Sequence, residues 1–330
     1  MADTAQVQAP QAEPDDDDLT DGHEVSRWRR IAFGSTTSIL LILIALIVVF
    51  SVLQFNEFAT VSNLRNVATD AAVLLVLAVG MTYVIITAGI DLSVGAVLVF
   101  AGVISAKVMS EVGGNGWGVI ILGVVAGVIA GLAWGVVNGV LVTKAKVPPL
   151  IVTLGTLGMA QGAALLITHG VDERDVPTKL VDTIGTGELF GQIPWLVVIA
   201  VVVAVVAGVW LRRTRFGGYT YAVGSNIDAP LRAGIAVDRH LIKVYALAGF
   251  LSGLAGFMNL ARFGTTTVSG HATDNLNAIA AVVIGGTLLT GGRGTLIGSI
   301  LGVLVFTTIT NLFILNNLAT EVQNIAKGLI

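Results

Sequence analysis

The chain has 330 residues, 55% of them hydrophobic and only 12% charged, with a formal net charge of −3 and a mean hydropathy of +0.88. Soluble domains carry about 25% charged residues, so half that value describes a chain solvated largely by lipid and excludes a soluble enzyme or a nucleic-acid-binding module. Cysteine is absent, which removes thiol catalysis, disulfides and thiolate metal sites.

The amino-terminal stretch 1–30 contains AQVQAPQAEPDDDD, with eight acidic residues among its first 24 positions. It is too polar to bury and is predicted to be a disordered acidic tail on the cytoplasmic side. Residues 31–53 then carry no charge over 23 positions, about 34 Å of helix at 1.5 Å per residue. That length spans a hydrocarbon core of roughly 30 Å. A signal peptide would be shorter and would end in a small-residue cleavage site, so this segment is read as a retained first span. Breaks at Gly, Pro and charged residues place nine more apolar segments near 70–88, 92–109, 117–142, 149–168, 193–211, 240–261, 275–290, 294–315 and 320–330. The expectation is an all-α membrane protein of about ten transmembrane helices, its permeation domain running over 31–330.

Lys and Arg concentrate on the cytoplasmic side of membrane proteins. With the amino terminus inside, twelve of the eighteen fall in internal segments, and Arg65, Lys107, Arg174, Lys179 and Arg262 fall in external ones. The external stretch 169–192 is acidic, with Asp172, Glu173, Asp175, Asp182 and Glu188. The last segment, TEVQNIAKGLI, is shorter than the roughly 20 residues a span requires, so the natural end of this span is expected beyond residue 330.

Polar features interrupt the apolar pattern. AGIDLSVGA (88–96) sets Asp91 between two apolar segments. A carboxylate there must face a cavity, find a partner or sit at an interface; Gly89 and Gly95 suggest a broken helix, and Asp91 could equally serve as its cap. In the fourth segment Gly123, Gly127, Gly131, Gly135 and Gly139 recur every four residues. Such a stripe drifts about 40° per step around a helix and lets a neighbouring backbone approach closely. Gly294, Gly298 and Gly302 repeat the device, as do Gly249 and Gly253. Asn138, Gln161, Asn259 and Asn277 are amides inside spans, suited either to helix–helix hydrogen bonds or to a path for a polar, uncharged solute.

The internal loop 212–239 is Gly-rich and basic, with a short helical core at IDAPLRAGIAV that Asn226 or Asp228 could cap; it reads as a docking element on the inner face, the alternative being a membrane-surface helix held by anionic lipid. GGTLLTGGRG (285–294) lacks the Gly-Lys-Ser/Thr of a phosphate loop and reads as a tight turn. The four histidines show no metal-ligand spacing and read as polar loop residues. Nothing in the chain supplies a nucleotide site, so any ATP is hydrolysed elsewhere.

GMTYVIITAGIDLSVGA (80–96), VNGVLVTKAKVPPLIVTLGTLGMAQGAALLITHG (137–170), RTRFGGYTYAVGSNIDAPLRAGIAV (213–237) and NAIAAVVIGGTLLTGGRGTLIGSILG (277–302) resemble the ribose-type permeases of monosaccharide ABC importers. The resemblance implies a bundle related to the vitamin B12 type of importer, with inverted repeats pairing spans two to five with seven to ten. It implies assembly in a bacterial inner membrane with a second permease copy, an ABC ATPase that binds ATP and magnesium, and a sugar-binding protein. It makes 212–239 the coupling loop, carried by Gly224, Asn226, Asp228, Arg232, Gly234 and Asp238. It also places Asp91, Asn138, Gln161, Asn259, Asn275 and Asn277 near the solute path. Two segments depart from the family pattern: Asp228 stands near a usual Glu-Ala-Ala, and Asn275 and Asn277 stand where many relatives have Glu and Asp. The competing readings are a secondary carrier or channel, for which Asp91 is the candidate intramembrane charge, and a related permease for nucleosides or branched amino acids.

Overall fold

The computed structural model of the protein describes residues 35–271 and 273–329; the acidic stretch 1–30 lies outside them. The helices are α1 (Ser35–Leu53), α2 (Val61–Ile86), α3 (Val94–Val112), α4 (Trp117–Thr143), α5 (Pro149–Thr168), α6 (Trp195–Arg213), α7 (Arg215–Ser225), α8 (Asp228–Arg232), α9 (Val237–Phe263), α10 (Asp274–Ile284), α11 (Leu296–Leu315) and α12 (Thr320–Leu329). One helical turn over Thr178–Leu180 continues into a π-turn, and a two-residue antiparallel ladder pairs Glu188–Leu189 with Ile193–Pro194. Among the described residues, eight helices are long and apolar enough to cross a membrane: α1 to α6, α9 and α11. The eighth and tenth predicted segments are helices of 11 and 10 residues, too short to cross.

Burial sorts the helices by role. Val76, Leu77, Val79, Met81, Tyr83 and Val84 are among the α2 side chains withdrawn from the surface, and α9 is almost as enclosed. Around this pair, α4, α5 and α6 present valine, leucine and isoleucine outwards, the surface a hydrocarbon solvent requires. At the periphery, α1 packs on α11 through Ile39 and Leu43 against Val305.

Backbone approach decides how the central helices meet. A Cβ on Gly131 would stand 2.3 Å from the carbonyl oxygen of Gly249, and one on Gly135 would stand 2.3 Å from that of Tyr245. Gly139 abuts Ile242 of α9, whereas Gly123 and Gly127 face Met109 and Ser105 of α3. The drift of a four-residue repeat thus carries one glycine stripe from α3 to α9. On α11, Gly298 and Gly302 press on the carbonyls of Gly285 and Ala281 at the end of α10. Gly294 is not part of that stripe: it precedes α11 and packs against the Thr287 side chain. Polar pairs fix registers as well. Asn63 and Asn311 exchange two amide hydrogen bonds (2.9 and 2.8 Å) between α2 and α11, and Thr82 meets Ser299 at 2.7 Å.

Helix α2 begins nine residues earlier than its hydropathy indicates, because charges that ended the apolar segment have partners elsewhere. Thr60 caps it by accepting the Asn63 N–H, Arg65 pairs with Glu188 at 2.8 Å, and Asp70 pairs with Arg262. Lys107 pairs with Glu173, and Lys179 lies over the Trp117 ring. Arg65, Lys107 and Arg262 at this end of the bundle are therefore compensated locally. At the opposite end Lys144 pairs with Asp238, whereas Arg212, Arg213, Arg215, Arg232, Arg239 and Arg293 form no ion pair among the described residues.

Candidate functional site

The chain between α2 and α3 breaks where Gly89 and Asp91 predict it. Asp91 is 1% exposed, and its Oδ1 accepts from the Ser93 N–H (2.9 Å) and the Ser93 hydroxyl (2.6 Å), closing a turn that launches α3. The Ser93 Oγ in turn accepts from Asn138 Nδ2 at 2.8 Å, and Asn138 Oδ1 accepts from Thr156 at 2.7 Å. One chain of bonds thus ties α3, α4 and α5 together. Asn275 Nδ2 donates to the Leu92 carbonyl (3.0 Å), which brings the start of α10 against the same break. Gly95 makes that meeting possible, since a Cβ there would stand 3.0 Å from the His271 carbonyl. Gln161 of α5 donates to the Val268 carbonyl at 2.5 Å. Asp91, Asn138, Gln161 and Asn275 are therefore committed to bonds within the protein. Asn275 Oδ1 and the Tyr245 hydroxyl beside Gly89 are buried without a hydrogen-bond partner among the described residues.

Asn259 and Asn277 are placed differently. They line a cavity of about 280 Å³ in the half of the bundle away from α7 and α8, enclosed by α2, α9, α10, α11 and α12. Phe306 and Thr310 of α11 lie nine and five residues before the end of that helix, roughly 14 and 8 Å in from it. The wall carries the Asp70–Arg262 pair, His271, Asp274 and Lys327 beside Phe263 and Phe306. His271 is no plain loop residue. Its Nδ1–H donates to Asp274 Oδ2 at 2.6 Å, while Nε2 accepts from Thr267 (2.6 Å) and Asn259 (3.0 Å); this tautomer satisfies every contact. Carboxylate, amide and imidazole groups beside two phenyl faces suit a small solute with many hydroxyls and no net charge. Sequence reading missed Asp70, His271 and Asp274, although the i, i+3 spacing of the last two was a usable signal.

At the other end, α7 and α8 fill the predicted coupling loop. The FGGYTYAVGS stretch, read as glycine-rich loop, is helical because Gly217 and Gly224 admit backbone that a side chain would exclude. A Cβ on either would stand 1.7 Å from a carbonyl oxygen, of Leu211 and Ile86 respectively. His240 stands in the first turns of α9, buried beside the Phe216 ring and 3.1 Å from the Thr220 hydroxyl. Asn226 Oδ1 accepts the Asp228 N–H at 2.9 Å to start α8. Gly234, at φ +76°, ends it with the paired bonds Ile235 N–H to Pro230 O and Gly234 N–H to Leu231 O. Ile227, Asp228, Leu231 and Arg232 are all exposed, an apolar and charged tip at a water-facing end. The turn 285–295 packs beneath: the Gly292 N–H donates to the Ile86 carbonyl (2.9 Å), and Tyr221 donates to the Gly294 carbonyl (2.8 Å). Gly291 sits on Ala88 and on the Gly224 carbonyl. Among the described residues no group of three or more metal-ligating side chains is assembled.

A protein-family profile described as the permease component of the branched-chain amino acid transport system matches residues 63–330. The chain is 38% identical over 290 residues to the ribose import permease protein of Bacillus subtilis, covering 87% of this chain and 88% of that one. It is 36% identical over 295 residues to the ribose import permease protein of Escherichia coli, covering 88% and 89%. It is 32% identical over 272 residues to the fructose import permease protein of Rhizobium meliloti, covering 81% and 74%. No solved structure matches the chain.

Proposed function

The chain belongs to the branched-chain transport-system permease family, and from that premise we propose that it forms the membrane path for a neutral pentose or hexose in an ATP-driven importer. The reading is carried by its 38% identity, over nearly nine-tenths of both chains, with a protein named for ribose import. ATP with its magnesium is bound and hydrolysed by a separate ABC ATPase, which grips the exposed tip of α8. Gly224 and Asp238 hold that tip to the bundle, and Asn226, Asp228, Arg232 and Gly234 shape it. A sugar-binding protein docks at the opposite end, above the cavity that contains Asn259 and Asn277. The solute passes from that cavity towards the α2–α3 break, whose Asp91, Asn138, Gln161 and Asn275 hold the passage in shape.

A second permease copy covers α5, where a Cβ built on Gly155, Gly158 or Gly162 would meet no other part of the described chain within 4 Å. In this reading α10 with the 285–295 turn, and α12, hold the places of the eighth and tenth helices of a vitamin-B12-type bundle in the bacterial inner membrane without each crossing it fully, and the amino terminus lies in the cytosol. The long, enclosed α2 and α9 are the corresponding members of its two inverted repeats.

The family's description favours one other cargo, a branched-chain amino acid. Purification from detergent should bring down an ATPase subunit. Vesicles containing both, supplied with the binding protein and ATP, should accumulate labelled ribose or fructose and not leucine. Leucine uptake without sugar uptake replaces the cargo, and uptake without any ATPase overturns the importer.

A further inference from the structure

A second cavity, of about 620 Å³, is separate from the solute cavity. It lies on the outer surface of the bundle where α6 and α11 diverge. Its walls are apolar: Ala204, Val205 and Val209 on α6 face Leu296, Ile297 and Ile300 on α11. Gly208 deepens the floor, since a Cβ built there meets only Leu296, at 3.8 Å. The slot is open to the surrounding hydrocarbon, and its size falls within the roughly 300–1,000 Å³ of ligand pockets.

One end of the groove is chemically distinct. Arg212 and Arg213, in the last turn of α6, line it there, both exposed and in no ion pair among the described residues. No carboxylate lines the groove. The two polar wall groups are already engaged: the Tyr221 hydroxyl donates to the Gly294 carbonyl, and Thr295 Oγ1 accepts the Gly298 N–H. Two unspent guanidinium groups at the water boundary, above a slot wide enough for an acyl chain, match one kind of molecule.

We propose that this groove seats an anionic phospholipid, its chain between α6 and α11 and its phosphate on Arg212 and Arg213. Neither part of the site suffices alone, because an apolar slot takes any lipid and an arginine pair takes any phosphate. The headgroup stands beside Tyr221 and Thr295, so the lipid braces the α7–α11 junction.

Native mass spectrometry of the full chain in detergent tests this, using phosphatidylglycerol and phosphatidylcholine of identical chains. Each basic residue favours an anionic headgroup by about five-fold, so two give a preference on the order of thirty-fold. Arg212→Gln with Arg213→Gln should abolish the preference, and Arg293→Gln should leave it intact. Gly208→Leu, which fills the floor and keeps the charge, should lower retention of both lipids; size-exclusion elution verifies that each variant is folded. Equal retention of the two lipids by the unaltered chain overturns the proposal. So does displacement of the lipid by glycerol phosphate alone, which would make this a bare anion site. A Val209→Cys variant that cross-links copy to copy would show the groove filled by protein and overturn it equally.

Discussion

Replacing Gly131 by alanine is the sharpest perturbation of the bundle. The added methyl would lie 2.3 Å from the Gly249 carbonyl oxygen and 2.7 Å from the Gly253 Cα and N, all backbone atoms of α9. Contact at 3.4 Å is ordinary, so α4 and α9 must part by about 1 Å along their most extensive interface, and no flexible side chain can yield instead. Overpacking of this kind costs up to about 3 kcal/mol, offset by about 1 kcal/mol from alanine's better helix propensity. The net loss is about 2 kcal/mol, roughly a thirty-fold fall in the folded-to-unfolded ratio. Gly118, on the same helix, has nothing within 4 Å, so Gly118→Ala should stabilise by up to about 1 kcal/mol. Gly123→Ala meets only the side chain of Met109, which can swing aside, and should fall between the two. Unfolding of the purified protein in mixed micelles, followed by tryptophan fluorescence, ranks the three. Equal stability of Gly131→Ala and Gly118→Ala would refute the claim that these backbones are in contact.

Asp91→Asn should keep fold and uptake, because an amide oxygen can accept both Ser93 bonds; Asp91→Ala leaves those donors unpaired and should cost about 1–3 kcal/mol. Equal damage by both, in thermal stability and solute uptake, would show that the charge itself is required. Gly234→Val forces a β-branched residue to φ +76°, a strain of about 1–3 kcal/mol confined to the end of α8. It should lower solute uptake per ATP hydrolysed while melting temperature barely moves, and an unchanged ratio removes α8 from the coupling path. The Lys107 ammonium beside Glu173 holds that carboxyl below the usual carboxylate range, with burial opposing the shift. A depressed folded value means the stabilisation is complete above about pH 4.3 and is lost as pH falls through the lower folded value. Glu173→Gln should flatten that acid limb of the melting curve, and an unaltered limb would assign it to other groups.

Most span positions were legible because lipid imposes an uninterrupted apolar run on each crossing helix. The run fails as a guide where charge is compensated through space. Arg65 and Asp70 mark a boundary in sequence, yet their partners Glu188 and Arg262 lie more than a hundred residues away. The same blindness concealed α7, whose glycines weaken helix propensity and are required by carbonyls of α6 and α2. Asp91 was legible as an anomaly, and its commitment to Ser93 could be seen only once the turn was closed. The cavity lined by Asn259 and Asn277 was half legible: its amides stood out among apolar neighbours, whereas His271 looked ordinary until Thr267, Asn259 and Asp274 converged on it.

The junction of α7, α2 and the 285–295 turn is made of main chain against main chain, with Gly224 on the Ile86 carbonyl and Gly292 bonded to the same oxygen. Side chains act as cushions, because rotamers absorb small displacements, and Gly224 and Gly292 place none between the Ile86 carbonyl and their own backbones. A displacement of α7 would therefore bear directly on the backbone of the final turn of α2. Even a single methyl group at Gly224 would act as a shim, standing 1.7 Å from the Ile86 carbonyl oxygen and forcing α7 away from α2.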